Sequence, residues 1–222
     1  MRLSQDDHDR VSAAVTAAEA GTDGEIVTVV AAHSDSYHDV GLHWTVLAML
    51  LVLALLAAWP DLALAIHARV GDPWAPASPR ALLSIALVLL ALAFLVFRLL
   101  FAWRPLRLLV TPPGTKARRV RRRALQLFRT AAEKRTEAAT GVLLYLSLEE
   151  RRAELIADES IHSKVPAETW GEAMAELVEE EKAGRPGAGM ATAVERIGAV
   201  LREHFPRSPG DRNELPDRLI EL

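Results

Sequence analysis

The chain has 222 residues, 50% of them hydrophobic and 25% charged, with a formal net charge of −3 and no cysteine. That length suits one modest soluble domain plus a membrane part. The near-neutral charge argues against a general nucleic-acid binder, and the lack of cysteine excludes disulfides, thiol catalysis and cysteine-based zinc sites.

Met1 to Arg10 is polar and holds three aspartates, unlike the basic-then-apolar start of a signal peptide. Residues 4–20 read as a helix: Ser4 and Asp7 have capping-box spacing, and Leu3, Val11, Val15 and Ala18 fall near one face. Gly21 stops it. The β-branched run Gly24-Glu25-Ile26-Val27-Thr28-Val29-Val30-Ala31 predicts a strand. One helix and one strand do not make a stable unit, because a lone strand leaves its backbone groups unpaired.

Two apolar runs follow, at 40–59 and 81–103, each about 30 Å long as a helix at ~1.5 Å per residue, the thickness of a bilayer core. Trp44, Trp59 and Trp103 sit near their ends, where indoles favour the interface, and Arg98 is close enough to an end to snorkel. Between them, 60–80 carries Pro60, Gly71, Pro73, Pro76 and Pro79 and reads as a loop or surface segment, in which 62–66 either extends the first helix or lies on the membrane. That connection holds Arg69 and Arg80. After the second run come Arg104, Arg107, Lys116, Arg118, Arg119, Arg121, Arg122 and Arg123. Positive charge stays inside, so the chain is expected to be a multi-pass protein of the cell (inner) membrane with both termini cytoplasmic.

Residues 116–139 predict a helix with Val120, Ala124, Leu127, Phe128 and Ala131 on one face, ended by Gly141. Val142-Leu143-Leu144-Tyr145-Leu146-Ser147-Leu148 is apolar throughout, as expected of a strand covered on both faces. Residues 152–158 predict a third strand, antiparallel to the second. Two helices follow, striped by Trp170, Met174, Leu177 and Val178 and by Met190, Val194, Ile197 and Leu201. The tail from Asp211 either packs on the domain or recruits a partner. The simplest assembly is a three-layer α/β/α domain whose first strand lies beside 142–148, interrupted by a two-helix transmembrane hairpin. It divides as 1–39 (N-terminal helix and first strand), 40–103 (hairpin) and 104–222 (remainder and tail).

The soluble residues resemble the TPM domain family, which includes thylakoid-lumen acid phosphatase-like proteins. The likeness rests on Thr140-Gly141-Val142-Leu143-Leu144-Tyr145-Leu146-Ser147, on Ala157-Asp158-Glu159-Ser160-Ile161-His162-Ser163-Lys164-Val165, and on Trp170. Gly184-Arg185, Ile197-Gly198, Phe205-Pro206 and Asn213-Glu214-Leu215-Pro216-Asp217 continue it, and Gly24-Glu25-Ile26-Val27 and Ser34-Asp35-Ser36-Tyr37 extend it upstream. The resemblance implies an α/β sandwich, with calcium binding in some members, weak acid phosphatase activity in some, and accessory roles in membrane assemblies in others.

Ligands of open α/β sheets favour loops at the carboxyl ends of parallel strands. The loop after the first strand, His33-Ser34-Asp35-Ser36-Tyr37-His38-Asp39, packs two histidines, two aspartates and two serines together. Asp35 and Asp39, with Asp158 after the third strand, are the candidate oxygen ligands for a divalent cation such as calcium. His33, Ser34, Tyr37 and His38 complete the candidate ligand loop. The competing reading is that Ser36 or Asp39 caps the first membrane helix and the rest is solvated. No P-loop, G-x-S-x-G or H-E-x-x-H occurs. Arg118, Arg119, Arg121, Arg122 and Arg123 suit anionic lipid at the inner leaflet, or serve only as a topology determinant. They lack interleaved aromatics for nucleic acid. The expected function is an interaction or accessory module of a membrane assembly, its partners the bilayer and another membrane protein or a second copy. The alternative is a divalent-metal-binding domain with weak acid phosphatase activity.

Overall fold

The structure is a computed structural model, described here for residues 3–70, 76–131, 140–209 and 215–222. It divides into two compact units: residues 1–35 with 113–222, and residues 36–112.

The first unit begins with α1 (Gln5–Glu19). Ser4 caps it: its Oγ accepts from the Asp7 amide at 3.1 Å, and the Asp7 carboxylate accepts from the Ser4 amide at 3.2 Å. That is the reciprocal box expected from the spacing. Strand β1 (Glu25–Ala31) is buried at every position, as is β2 (Gly141–Ser147). They pair in parallel from Glu25↔Gly141 to Ala31↔Ser147. Strand β3 (Arg152–Ala157) runs antiparallel to β2, and the sheet order is β3-β2-β1-β4. The fourth strand, β4 (Ile220–Glu221), pairs in parallel with β1 through Val29↔Ile220. The tail therefore packs on the domain through these residues. Two residues are too short for a strand to announce itself by periodicity.

Helices α6 (Pro113–Ala131), α7 (Glu159–His162), α8 (Gly171–Lys182) and α9 (Pro186–His204) complete this unit, with a 3₁₀ turn at Ala167–Trp170. Side chains alternate across a strand, and each face of this sheet meets helices. Ile26, Val30, Val142, Leu144 and Leu146 join a core with residues of α1, α8 and α9. Val27, Val29, Leu143 and Tyr145 join another with Val120, Ala124 and Phe128 of α6. Helix α6 starts three residues before the expected 116, because Pro113 supplies a preset φ at a helix start. Its expected end, 132–139, lies outside the described residues, as do Gly71, Pro73 and the Asn213-Glu214 pair.

The second unit holds α2 (His38–Ala58), α3 (Pro60–Val70), α4 (Pro79–Leu100) and α5 (Arg104–Val110). Residues 62–66 belong to α3, a separate helix that begins at Pro60 after the end of α2. Helices α2 and α4 pack on each other, and at Gly41 an added Cβ would meet the Phe101 Cβ at 3.0 Å. Both helices are long and apolar enough to cross a membrane. Large apolar side chains point outward along them: Leu51 is 61% exposed, Leu83 72% and Leu99 73%.

Helices α1 and α9 come close at Gly198, where an added Cβ would lie 2.5 Å from the Ala18 Cβ and 3.0 Å from its Cα. Gly198→Ala is expected to destabilise the first unit by about 1–3 kcal/mol through overpacking. Thermal unfolding of the single variant and of its combination with Ala18→Gly checks this. Part of the loss returns in the double variant, and purely additive effects would refute the contact as the cause.

Candidate functional site

The carboxyl ends of β1 and β2 carry the densest buried polar network near the predicted loop. The Ser34 Oγ lies 2.9 Å from the Tyr145 hydroxyl and donates to the Ser147 Oγ at 2.9 Å. Ser147 donates in turn to the Glu150 carboxylate, whose other oxygen accepts from the Ser34 amide at 2.9 Å. Ser147 and Glu150 are both buried. Arg151, at a left-handed φ of 50°, helps close the turn that carries Glu150 back under the loop. Burial pushes the Tyr145 hydroxyl above its ordinary pKa of 10.0, the Ser34 and Ser147 hydrogen bonds oppose that, and the Glu150 charge adds to it. A phenol held neutral suits hydrogen bonding, not nucleophilic attack. The network ties the loop after β1 to the β2–β3 turn, because buried polar atoms without partners would cost about 1–3 kcal/mol each.

Asp35 follows directly. Its carboxylate lies 3.1 Å from Arg119 and 3.3 Å from Arg122. Arg121 points to the Glu154 carboxylate on β3 at 3.4 Å, and Arg118 donates to the Thr115 hydroxyl at 3.3 Å. Burial raises the pKa of Glu154, and Arg121 opposes that rise without cancelling it. The basic cluster is therefore not a uniform face offered to lipid. Arg119 and Arg122 hold the β1 loop, Arg121 holds the edge strand, and Arg123 remains on the exposed face.

Two of the three proposed metal carboxylates, Asp35 and Asp158, lie toward opposite ends of β2. Asp158 sits at the far end of the sheet: its carboxylate accepts from the Gly141 amide at 2.9 Å, and its own amide donates to the Gly141 carbonyl at 3.0 Å. Gly141 begins β2 and Asp35 lies beyond its other end, so a strand of about 20 Å separates them. The cause is the antiparallel direction of β3, which returns its carboxyl end to the start of β2. Asp39, Tyr37 and His38 belong to the second unit. There Tyr37 is the N-cap of α2, at a φ of 53° with no side-chain cap bond, so neither Ser36 nor Asp39 fills that position. The His38 Nδ1 lies 2.5 Å from a guanidinium nitrogen of buried Arg107. Among the described residues no group of three or more histidine, aspartate or glutamate side chains is placed to hold a metal.

A second polar cluster was not legible in the sequence. At the amino end of β1, Glu19, Glu25 and Asp217 share a cavity of about 170 Å³ with Thr16 and Arg207. The Glu19 Oε1 accepts from the Ile26 amide at 2.7 Å, Thr16 donates to Asp217 at 2.7 Å, and Glu25 accepts from the Leu215 amide at 3.3 Å. Burial pushes Glu19 from 4.5 up to about 8, with the Glu25 and Asp217 charges adding to the rise and the Ile26 amide opposing it. Only the fold brings residues 19, 25 and 217 together, so no local spacing marks them.

The folded-state value of Glu19 is raised, so folding retains a proton between about 4.5 and 8. Stability from this group is full below about pH 4.5 and is lost as pH rises through about 8. Glu19→Gln should flatten that loss, keeping the Ile26 contact and raising stability at pH 9 by about 2 kcal/mol, discounted for partial solvation. Melting temperatures of both proteins from pH 5 to pH 9 check it. Parallel curves would show that Glu19 ionises normally.

Residues 108–200 match the family model described as TPM domain. A solution structure, that of the BA42 protein from the psychrophilic bacterium Bizionia argentinensis, shares the fold with a TM-score of 0.57 at 15% identity, over 100% of this chain and 97% of that one. No curated protein matches the chain. The matched stretch runs from α5 through β2, β3 and α8 into α9 and holds Arg118 to Arg123, Glu150 and Asp158, while Ser34, Asp35 and β1 lie before it. Residues 108–200 are thus similar to the TPM domain family.

Proposed function

We propose that this is a membrane-anchored TPM-domain protein in which α2 and α4 form a transmembrane hairpin. Its α/β unit then acts on the cytosolic side as an interaction or accessory module of a membrane assembly. The observation that carries this reading is the outward apolar surface of α2 and α4: no residue of α4 is buried. Apolar patches of that extent are not left in water by soluble monomers. Their lengths of 21 and 22 residues correspond to about 30 Å at ~1.5 Å per residue, enough for a bilayer core.

Sheet topology supports the hairpin independently. Strand β1 precedes α2, β2 follows α4, and the two pair along seven residues of one sheet. Both ends of the inserted segment must then lie on one side of the bilayer, which requires an even number of crossings. The basic residues after α4 support the reading that this side is the cytosol. The interaction role draws on the same architecture: a well-packed soluble unit held at the membrane by helices too few to enclose a pore.

Single cysteines at Ser78 and Ser208 test the topology. A membrane-impermeant thiol reagent added to intact cells should label Ser78→Cys alone, and Ser208→Cys should react only after permeabilisation. Labelling of both positions from one side, or release of the chain from membranes by alkaline carbonate, overturns the hairpin.

A further inference from the structure

We infer that the C-terminal segment 215–222 is a strap across the outer edge of β1, which the cluster of Glu19, Glu25 and Asp217 keeps closed from acid to neutral pH and opens under alkaline conditions. Among the described residues, β1 is paired on its outer side through Val29↔Ile220 and Val30↔Glu221. The Leu222 amide donates to the Val30 carbonyl at 2.9 Å, and the Ala32 amide donates to the Leu222 carbonyl at 3.2 Å. Leu219 enters the core shared with α1 and α9, and Leu215 enters the core on the α6 face. Further fastenings are polar, and α1 and β1 supply them. The Leu219 amide donates to the Ser12 hydroxyl at 3.3 Å, the Thr16 hydroxyl to the Asp217 carboxylate at 2.7 Å, and the Leu215 amide to the Glu25 carboxylate at 3.3 Å. His8 lies 3.0 Å from the Glu221 carboxylate. The ladder to β4 covers two residues where that to β2 covers seven. Local opening draws on such briefly paired parts of a fold.

Three carboxylates meet where the strap crosses the α1–β1 corner. Glu19 ends α1, Glu25 begins β1 and Asp217 belongs to the strap, and all three line one cavity of about 170 Å³. Arg207, beyond α9, lines the same cavity, and its guanidinium donates to the Ala20 carbonyl at 3.1 Å. Close by, the Asp23 carboxylate accepts from the Ser208 amide at 2.7 Å, and the stem of Arg202 lies beside Gly21. The charges that β1 and the strap bring to Glu19 are both negative. Burial, with those two charges adding, keeps the Glu19 carboxyl protonated up to about 8. While it is neutral, Asp217 sits beside it without repulsion. Once it ionises, like charges face each other in a partly buried site, where they are screened less than in water. Moving the strap away takes Asp217 out of that contact. The closed form therefore binds the proton more tightly than the open one. The contribution of Glu19 to closure is full below about pH 4.5 and is lost as pH rises through about 8. Release uncovers the outward backbone groups of β1 at Val29 and Val30 and the sites of Leu215 and Leu219.

Hydrogen exchange of the full chain in detergent micelles tests the strap, read by mass spectrometry from pH 6 to pH 9 and corrected for the intrinsic exchange rate. Peptides covering 215–222 should lose protection severalfold, up to about tenfold, between pH 7 and pH 9, while peptides covering β2 keep theirs. Glu19→Gln keeps an acceptor for the Ile26 amide and carries no charge, so it should abolish the step. Asp217→Asn keeps an acceptor for Thr16 and removes the charge on the strap, so it should shrink the step. Constant protection of 215–222 across the range overturns the strap, as does a step that persists in Glu19→Gln. A step that Asp217→Asn leaves unchanged overturns it too, because Glu19 would then be answering to α1 and β1 alone. So does loss of protection in β2 together with the tail, since the whole unit would then be opening.

Discussion

The parallel pairing of β1 with β2 is the constraint on which the remaining structure depends. Strand β1 is buried at all seven positions, so its backbone groups require strand partners. The principal partner is made more than a hundred residues later, with the five helices α2 to α6 in between. The closing cost of such an insertion is modest, because loop-closure entropy grows only logarithmically with length. The kinetic consequence is larger: local elements such as α1 can form early, while the central strand pair must wait for β2 to be made.

The two ends of β1 handle polar groups in opposite ways. At the carboxyl end, hydroxyls are chained from Ser34 through Ser147 to Glu150, and the Asp35 carboxylate faces two guanidiniums. Charge there is compensated, and the loop is fixed to both β2 and α6. At the amino end, Glu19 keeps company with Glu25 and Asp217, and burial makes its proton hard to remove. The second arrangement makes the α1–β1 corner a place where alkaline conditions act. Glu154 and Glu181, whose pKa values burial also raises, add stress of the same sign.

Local signals were legible where one segment carried them whole. The Ser4–Asp7 box marked the start of α1, and the unbroken apolar run at 142–148 marked a strand covered on both faces. Strand direction was legible through connection length: the short turn at 148–151 forced β3 to return antiparallel, and the long insertion allowed β1 and β2 to be parallel. The candidate site was legible only in part. Ser34 and Asp35 were marked as a ligand loop by composition, but their partners Tyr145, Ser147, Glu150, Arg119 and Arg122 come from elements made much later. Asp158 was drawn into the same set by residue type, and the reversal of β3 placed it at the other end of the sheet. Strand β4 gave no signal, since a two-residue strand is defined by what it pairs with.

The TPM match begins at residue 108, yet the sheet it describes is incomplete without residues 25–31. Strand β1 lies between β2 and β4 and supplies Ile26 and Val30 to one core and Val27 and Val29 to the other. A chain beginning at residue 108 would expose the inner edge of β2, whose seven residues are buried. It would also leave α9 without α1, against which it packs at Gly198 and Ala18. The matched segment is therefore a piece of a folding unit. The apolar helices are an insertion within that unit: the chain must pass through them before its central strand acquires its neighbour.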